Sequence, residues 1–354
     1  MDIWQELSQV DQVDYWQATQ DAIHALGITD GLPVVPPTAE RVNAMLAMHG
    51  YNPNTMLAEL PPLFSSVTWQ DVAINAVMAG CRPEYLPIVG AAIEGIAAPE
   101  FNLVGISTTT GSAAPMIIVN GPIVGAVGLN AGSNVLGPGF RANATIGRAM
   151  SLVLRNVGGA IPGELDMATL GQSAKFSCCI AENAIDSPWS SLHIDRGFDP
   201  QASVVTVVGI SGSIEIVDSI SQNAADIAQT YAQSMLIAGG AGNSGLLGGG
   251  EPLIIMPPEI ANAFVRGGCD KRATKQAIYE RATLSKSMLS TAVREHRAQV
   301  NASTGSAVDD LLRIALSPDD VMIVVAGGVG IKAAYLPTWS GGTKAVSRLV
   351  KLRK

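Results

Sequence analysis

Charge is scarce in this chain: only 15% of its 354 residues are Asp, Glu, Lys or Arg, and the net charge is -8. A concentrated basic surface is therefore not expected, which argues against nucleic acid or an anionic membrane as a partner. The basic tail Lys344–Lys354 is too short to reverse that balance. Cysteine is also rare. Cys81, Cys178, Cys179 and Cys269 lack zinc-site spacing, and a chain of this length needs no disulfide staples, so reduced, buried thiols are expected. Long apolar runs are missing as well. No charge occurs between Glu100 and Arg141, yet Asn, Ser, Thr, Gly and Pro break each apolar run before about 18 residues, which predicts a buried interior rather than a membrane span. The opening Met1-Asp2-Ile3-Trp4-Gln5-Glu6 carries acids where a signal peptide needs a basic region, so a cytoplasmic location is expected. Neither a hydrolase elbow of the G-x-S-x-G kind nor a Walker loop occurs.

What is abundant is apolar and small: 47% hydrophobic residues, 37 Gly and 20 Pro. Such a chain is globular, turns tightly, and is expected to cover apolar surface in a homo-oligomer. Trp4, Leu7, Val10, Val13 and Tyr15 among polar residues predict an amphipathic helix and a second helical stretch toward Leu26, stopped by Gly27 and Gly31. Leu32–Pro37 reads as a short strand, and Thr68-Trp69-Gln70-Asp71 as a capping box opening a helix to about Gly80. Further strands are predicted at 116–120, 204–210, 214–217 and 321–326, with helices near 143–157, 222–236, 258–266, 271–297 and 307–315. This alternation predicts an α/β fold of two strand-rich lobes with interleaved helices, 1–165 and 201–354, joined by a polar segment at 166–200 that carries the candidate site. Gly250–Pro258 resembles Gly31–Pro37 with one insertion. Either an internal duplication or chance accounts for so short a match.

The densest set of reactive side chains lies at 172–198. Cys178 or Cys179, near Lys175 or His193, is a candidate nucleophile, and Glu182, Asp186 and His193 are candidate acids and bases if burial shifts them. The competing reading is a buried strand of small apolar cysteines followed by a surface loop of ordinary ion pairs. Adjacent strand cysteines point to opposite faces and chelate one metal poorly, so neither a metal nor another cofactor is expected. A second constellation is the glycine turn Gly137-Pro138-Gly139 leading into a helix that Asn143 would cap, with Arg141 beside it as an anchor for a substrate anion. Arg141, Arg148 and Arg155 recur at heptad spacing, which equally suits a salt-bridge stripe between subunits. Gly239–Gly245 holds the spacing of a dinucleotide fingerprint, but a helix precedes it and a strand follows, the reverse of what the fingerprint needs. Asn243 and Ser244 there are instead candidate substrate contacts, as are the hydroxyls of Thr108–Ser112 and the glycine amides and Lys332 of Ala326–Lys332.

The phrases Asp30-Gly31-Leu32-Pro33-Val34-Val35-Pro36-Pro37-Thr38, Gly137-Pro138-Gly139-Phe140-Arg141-Ala142-Asn143, Cys179-Ile180-Ala181-Glu182-Asn183 and Ser187-Pro188-Trp189 resemble a bacterial family associated with small (seleno)proteins bearing a U/C-G-S-C motif. The resemblance extends over most of the chain, which itself contains no C-G-S-C. It implies a soluble protein working with or beside thiol or selenol chemistry, with a small thiol or selenol protein as a partner, and it draws attention to Cys179, Glu182 and Asn183. The family's pattern has a bulky residue where Cys178 stands, which favours Cys179. The leading expectation is an enzyme that converts a small anionic substrate by hydrolysis, elimination or reductive cleavage. A non-catalytic subunit of a redox pair and a metal-dependent lyase or hydrolase are the alternatives.

Overall fold

The structure, a computed structural model, describes residues 13–239, 250–304, 311–339 and 341–352. Two runs of similar spelling, Pro115-Met116-Ile117-Ile118-Val119 and Pro252-Leu253-Ile254-Ile255-Met256, lie in the central strand β3 (Ala114–Asn120) and, with Pro252 just before it, in the central strand β7 (Leu253–Met256) of two four-stranded sheets. The first sheet has the order β12-β5-β3-β4, with β4 at Cys179–Ala181, β5 at Val204–Ile210 and β12 at Val346–Leu349. The second has the order β6-β11-β7-β10, with β6 at Ile214–Ile216, β10 at Met322–Val325 and β11 at Ala333–Leu336. In each, the central strand has one parallel neighbour (β4 or β10) and one antiparallel neighbour (β5 or β11), and the latter pairs antiparallel with a fourth strand. The fourth strands are exchanged: β6 follows β5 in the chain but joins the second sheet, and β12 follows β11 but joins the first. Where they cross, Ile210 bridges Thr338, and Ser211 N donates to Pro337 O (2.6 Å) as Trp339 N donates to Gly209 O (2.9 Å). These reciprocal bonds pair the two crossing passages antiparallel. The remaining strands form small hairpin-like pairs, β1 (Met56–Leu60) with β2 (Ser65–Thr68) and β8 (Thr283–Ser285) with β9 (Leu311–Arg313).

The repeat of two along each strand divides the core into layers. Ile117, Val119, Val205 and Val207 pack toward helices Trp69–Ala79, Leu86–Ile96 and Arg141–Asn156. Met116, Ile118 and Val208 meet Leu253, Ile255 and Val324 between the sheets. Ile254, Met256, Ile323 and Val325 face helices Ala224–Gly239, Pro258–Arg266 and Lys271–Arg281. The result is helices, sheet, sheet, helices. Strands buried on both faces explain why these runs are continuously apolar instead of alternating, and each such side chain contributes about 1.5–3 kcal/mol.

The α/β expectation is met, and β5 spans the residues the sequence predicts. Thr68 Oγ1 and the Asp71 carboxylate cap the helix at Trp69 reciprocally, and Gly80 ends it with φ +89°. Several local expectations are corrected. Leu32–Pro37 forms no strand: it is an extended segment held by Val35 N on Met78 O (3.1 Å), so it is not the counterpart of β7. The helix predicted over 271–297 breaks after Arg281 into β8 and resumes at Thr291–Thr304, and Leu311–Arg313 is strand rather than helix. The start of the first predicted helix, with Trp4, Leu7 and Val10, lies outside the described residues, which begin in helix Val13–Ala25. The first sheet draws β4 from the polar segment and β5 and β12 from beyond it, so the sheets do not follow the division of the chain by composition. Among the described residues no single helix is long and apolar enough to cross a membrane; the apolar pair Pro83–Ile96 and Pro99–Thr108 bends by 72°.

Candidate functional site

Cys179 opens the short strand β4 and Cys178 immediately precedes it, and the two side chains lie on opposite faces. Cys179 turns into the helix-side core and Cys178 packs against the layer between the sheets. Burial pushes the Cys178 thiol up to about 12, and burial with two neighbouring thiols also raises Cys179. Cys81, whose Sγ donates to Thr145 O (3.2 Å), is likewise raised to about 12 by burial. Among the described residues neither thiol of the doublet receives the cation that ionisation needs. Lys175 is engaged with Asp166 (2.6 Å), and His193 Nε2 lies against Pro200 O (3.4 Å). Alkylation of the native protein at pH 7 is thus expected to leave the buried Cys81 and Cys179 unmodified until unfolding, and to reach the partly exposed Cys178 only slowly. Rapid labelling of Cys179, located by mass spectrometry, would contradict this.

Glu182 follows β4 at its carboxyl end, beside Asn120 at the carboxyl end of the parallel strand β3. Both are almost wholly buried, as is His193 (3%, 1% and 3% exposed). Glu182 Oε2 accepts from Asn120 Nδ2 (2.6 Å) and from Leu192 N (2.7 Å). Burial raises its pKa, offset in part by the Lys271 charge and these hydrogen bonds. Lys271, a member of the cluster that nothing in the sequence singles out, donates to Asp195 Oδ2 (2.5 Å) and Ser190 O (3.0 Å), while Ser190 Oγ donates to Asp195 Oδ1. Glu182 Oε1, Asn120 Oδ1 and His193 Nδ1 are buried without a hydrogen-bond partner among the described residues. Asp186 does not join them. It is exposed, accepting from Asn183 Nδ2 (2.9 Å) and donating its own N–H to Asn183 Oδ1 (3.1 Å). Asn183 N in turn donates to Val325 O (2.8 Å), tying the carboxyl end of β4 to that of β10.

The arginine stripe works within the chain. Arg141 directs Nε and Nη2 to the single carbonyl of Gly80 (3.0 and 2.8 Å), satisfying the end of the helix Trp69–Ala79. Arg148 grips Asp30 with two bonds (2.7 and 2.8 Å) and also reaches Pro33 O (3.0 Å), and Arg155 donates to Gly27 O (2.9 Å). At Asp30, burial opposes ionisation, but the Arg148 hydrogen bond and charge outweigh it and hold the carboxyl below its ordinary range. Asn143 is not a helix cap, since the helix begins at Arg141 after Phe140. Its buried amide donates to Asn130 O (2.9 Å) and Cys179 O (3.2 Å) and accepts from Asn130 N (2.8 Å). Gly139, at φ +115°, makes the turn before the helix. Asn243 and Ser244 lie outside the described residues.

The arginine-clamped segment, helix Arg141–Asn156 and residues 160–176 enclose a cleft of about 640 Å³. Ile106, Ala113, Pro115, Leu154, Ile161 and Phe176 are among its apolar lining, and His24, Arg155, Asp166 and Lys175 contribute charge or polarity. His24 Nδ1 is 3.1 Å from Thr29 Oγ1. Ser107 Oγ and Arg155 Nε, also on lining residues, are buried without a hydrogen bond among the described residues. The sequence points to Lys175 only as a neighbour of the thiols, because nothing local reveals that residues 24, 107, 155 and 175 meet. Lys332 lies elsewhere, in a second cleft with Gly137 and the loop Ala326–Gly330. Among the described residues no group of three or more His, Cys, Asp or Glu could hold a metal ion. No protein-family model matches the chain, and no curated protein matches its sequence.

Proposed function

We propose that the protein is a cytoplasmic, homo-oligomeric enzyme that acts on a small carboxylate-bearing metabolite by acid/base chemistry in the cleft beside Lys175. The observation carrying this reading is the Lys175–Asp166 pair, 2.6 Å apart and mostly shielded from solvent, in the lining of a cleft that also has many apolar residues. Clefts of roughly 300–1,000 Å³ with an apolar lining and a few convergent polar groups are where small ligands bind. Lys175 and Arg155 supply the cations for a substrate anion, and His24 and Asp166 are the groups placed to move a proton. Proton transfer is favoured over thiol attack because the raised thiol pKa values disfavour thiolate at neutral pH. Glu182 and His193, both enclosed, are assigned to holding the fold around the carboxyl end of β4.

A panel of small mono- and dicarboxylates, screened by thermal shift, tests the reading. At least one is expected to raise Tm saturably, and Lys175→Gln is expected to abolish that rise. A panel without effect, or a rise that persists in Lys175→Gln, would sink the assignment.

A further inference from the structure

In the first sheet the carboxyl ends of the parallel strands β3 and β4 are closed over by Asn120, Glu182 and the N–H of Leu192. The equivalent ends in the second sheet, at Pro257 after β7 and Ala326 after β10, open into a cleft of about 470 Å³. One wall is the loop Ser133–Gly137, the other the loop Ala326–Gly330, and Ser213, Glu215 and Lys332 complete it. The carboxyl edge of parallel strands is the usual place for a ligand in an α/β sheet. Here the lining also carries unpaired backbone donors. Ala326 N donates to Met256 O (3.0 Å) and Gly327 N to Ala131 O (2.9 Å), but the next three N–H groups, of Gly328, Val329 and Gly330, donate to nothing among the described residues.

Glycine is required for this loop to lie where it does. A Cβ on Gly328 would stand 2.0 Å from Ser133 Oγ, and Gly327 and Gly330 adopt φ of +109° and +135°. Successive unpaired amides in a tight loop form an anion-binding concavity. The adjacent cation is Lys332, whose one ionic contact among the described residues is Glu215 at 3.4 Å, with side chains 59% and 63% exposed. Such a pair is weak and easily exchanged for an anion. A phosphate, with three free oxygens and up to two charges, matches three amides and an ammonium better than a carboxylate does.

We propose that this cleft binds the phosphate group of a small phosphorylated metabolite, through the amides of Gly328, Val329 and Gly330 and the ammonium of Lys332. It is a second site, sharing no lining residue with the cleft at Lys175. The two halves of the molecule have thus put the same structural position to different uses, one sealed around a carboxyl group and the other opened for an oxyanion.

The test is titration of the full chain with inorganic phosphate and with glycerol phosphate, followed by calorimetry and by the amide resonances of residues 328–330. Those resonances are expected to shift saturably with both probes. Lys332→Gln should weaken binding about tenfold, and Glu215→Gln, which frees the lysine and removes a like charge, should strengthen it about threefold. Both side chains are exposed, so neither change is expected to disturb the fold. Lys175→Gln should leave these titrations unchanged, which separates this proposal from the one for the other cleft. Unmoved amide resonances, or parent-like binding in both the Lys332 and Glu215 variants, would overturn it. So would binding of inorganic phosphate without binding of the ester.

Discussion

Glu182→Ala is expected to cost about 3–5 kcal/mol of unfolding free energy, whereas Glu182→Gln stays within about 1 kcal/mol of the parent near neutral pH. The alanine leaves Asn120 Nδ2 and Leu192 N, both enclosed, without their shared acceptor. It also opens a void between the strand ends. Glutamine keeps that acceptor and mimics the protonated acid, the form that burial favours. The site already holds two buried acceptors without donors, Glu182 Oε1 and Asn120 Oδ1, so a proton or an amide hydrogen there relieves an unfavourable pairing. Because the folded pKa lies above the unfolded value, folding favours the protonated form. The stabilising effect of that proton is complete below the ordinary carboxylate range and is lost as pH rises through the folded pKa. The Gln variant lacks this dependence and should exceed the parent on the alkaline side. Urea midpoints across pH check it, and a Gln variant as unstable as the Ala variant would rule out a neutral acid at this position.

Gly121→Ala is expected to cost about 2–5 kcal/mol, combining backbone strain with a clash that cannot relax at a side chain. Gly121 adopts φ +88°, and a Cβ there would lie 2.0 Å from Ala202 O and 2.9 Å from Ser203 Cα. The turn must pass this closely because β3 and β5 pair along their whole length, down to Asn120 opposite Val204. Forcing the two apart would also break Ile123 N on Ser203 Oγ (3.1 Å) and shift Asn120 relative to Glu182. Gly125 is the control. It sits in the helix Ile123–Val127, where an added methyl would meet nothing within 4 Å, so Gly125→Ala should be neutral or stabilise by up to about 1 kcal/mol. Equal thermal midpoints for the two variants would refute the close-approach explanation.

Much of the fold is legible along the chain. The apolar runs of β5 and β10 and the capping box at Thr68 are local signals, set by side-chain periodicity and by the needs of a helix terminus. The site is legible only in fragments. Residue type alone marks Glu182 and His193, and the structure does bury both, Glu182 at the end of β4 and His193 against Pro200. Lys271 and Asn120, which complete that region, lie in a polar helix and an apolar strand that signal nothing unusual. The arginine stripe is visible as a stripe, but its partners, Asp30 and the carbonyls of Gly27, Pro33 and Gly80, are distant in sequence. The repeat suggested at Leu32–Pro37 is an imitation of β7 by prolines. Its true counterpart is Pro115–Val119, where the apolar spelling and the strand pairing both match.

The amino-acid sequence by itself determined an α/β chain with a large low-charge interior, its principal strands and many of its helix boundaries, because burial and backbone preference act over a few neighbouring residues. Tertiary structure alone decided that two like-ordered sheets exchange their fourth strands, that the doublet thiols meet no cation among the described residues, and which loops bound the clefts. Those outcomes depend on register and packing between segments far apart in the chain, where one residue's partner is chosen by the fit of whole layers.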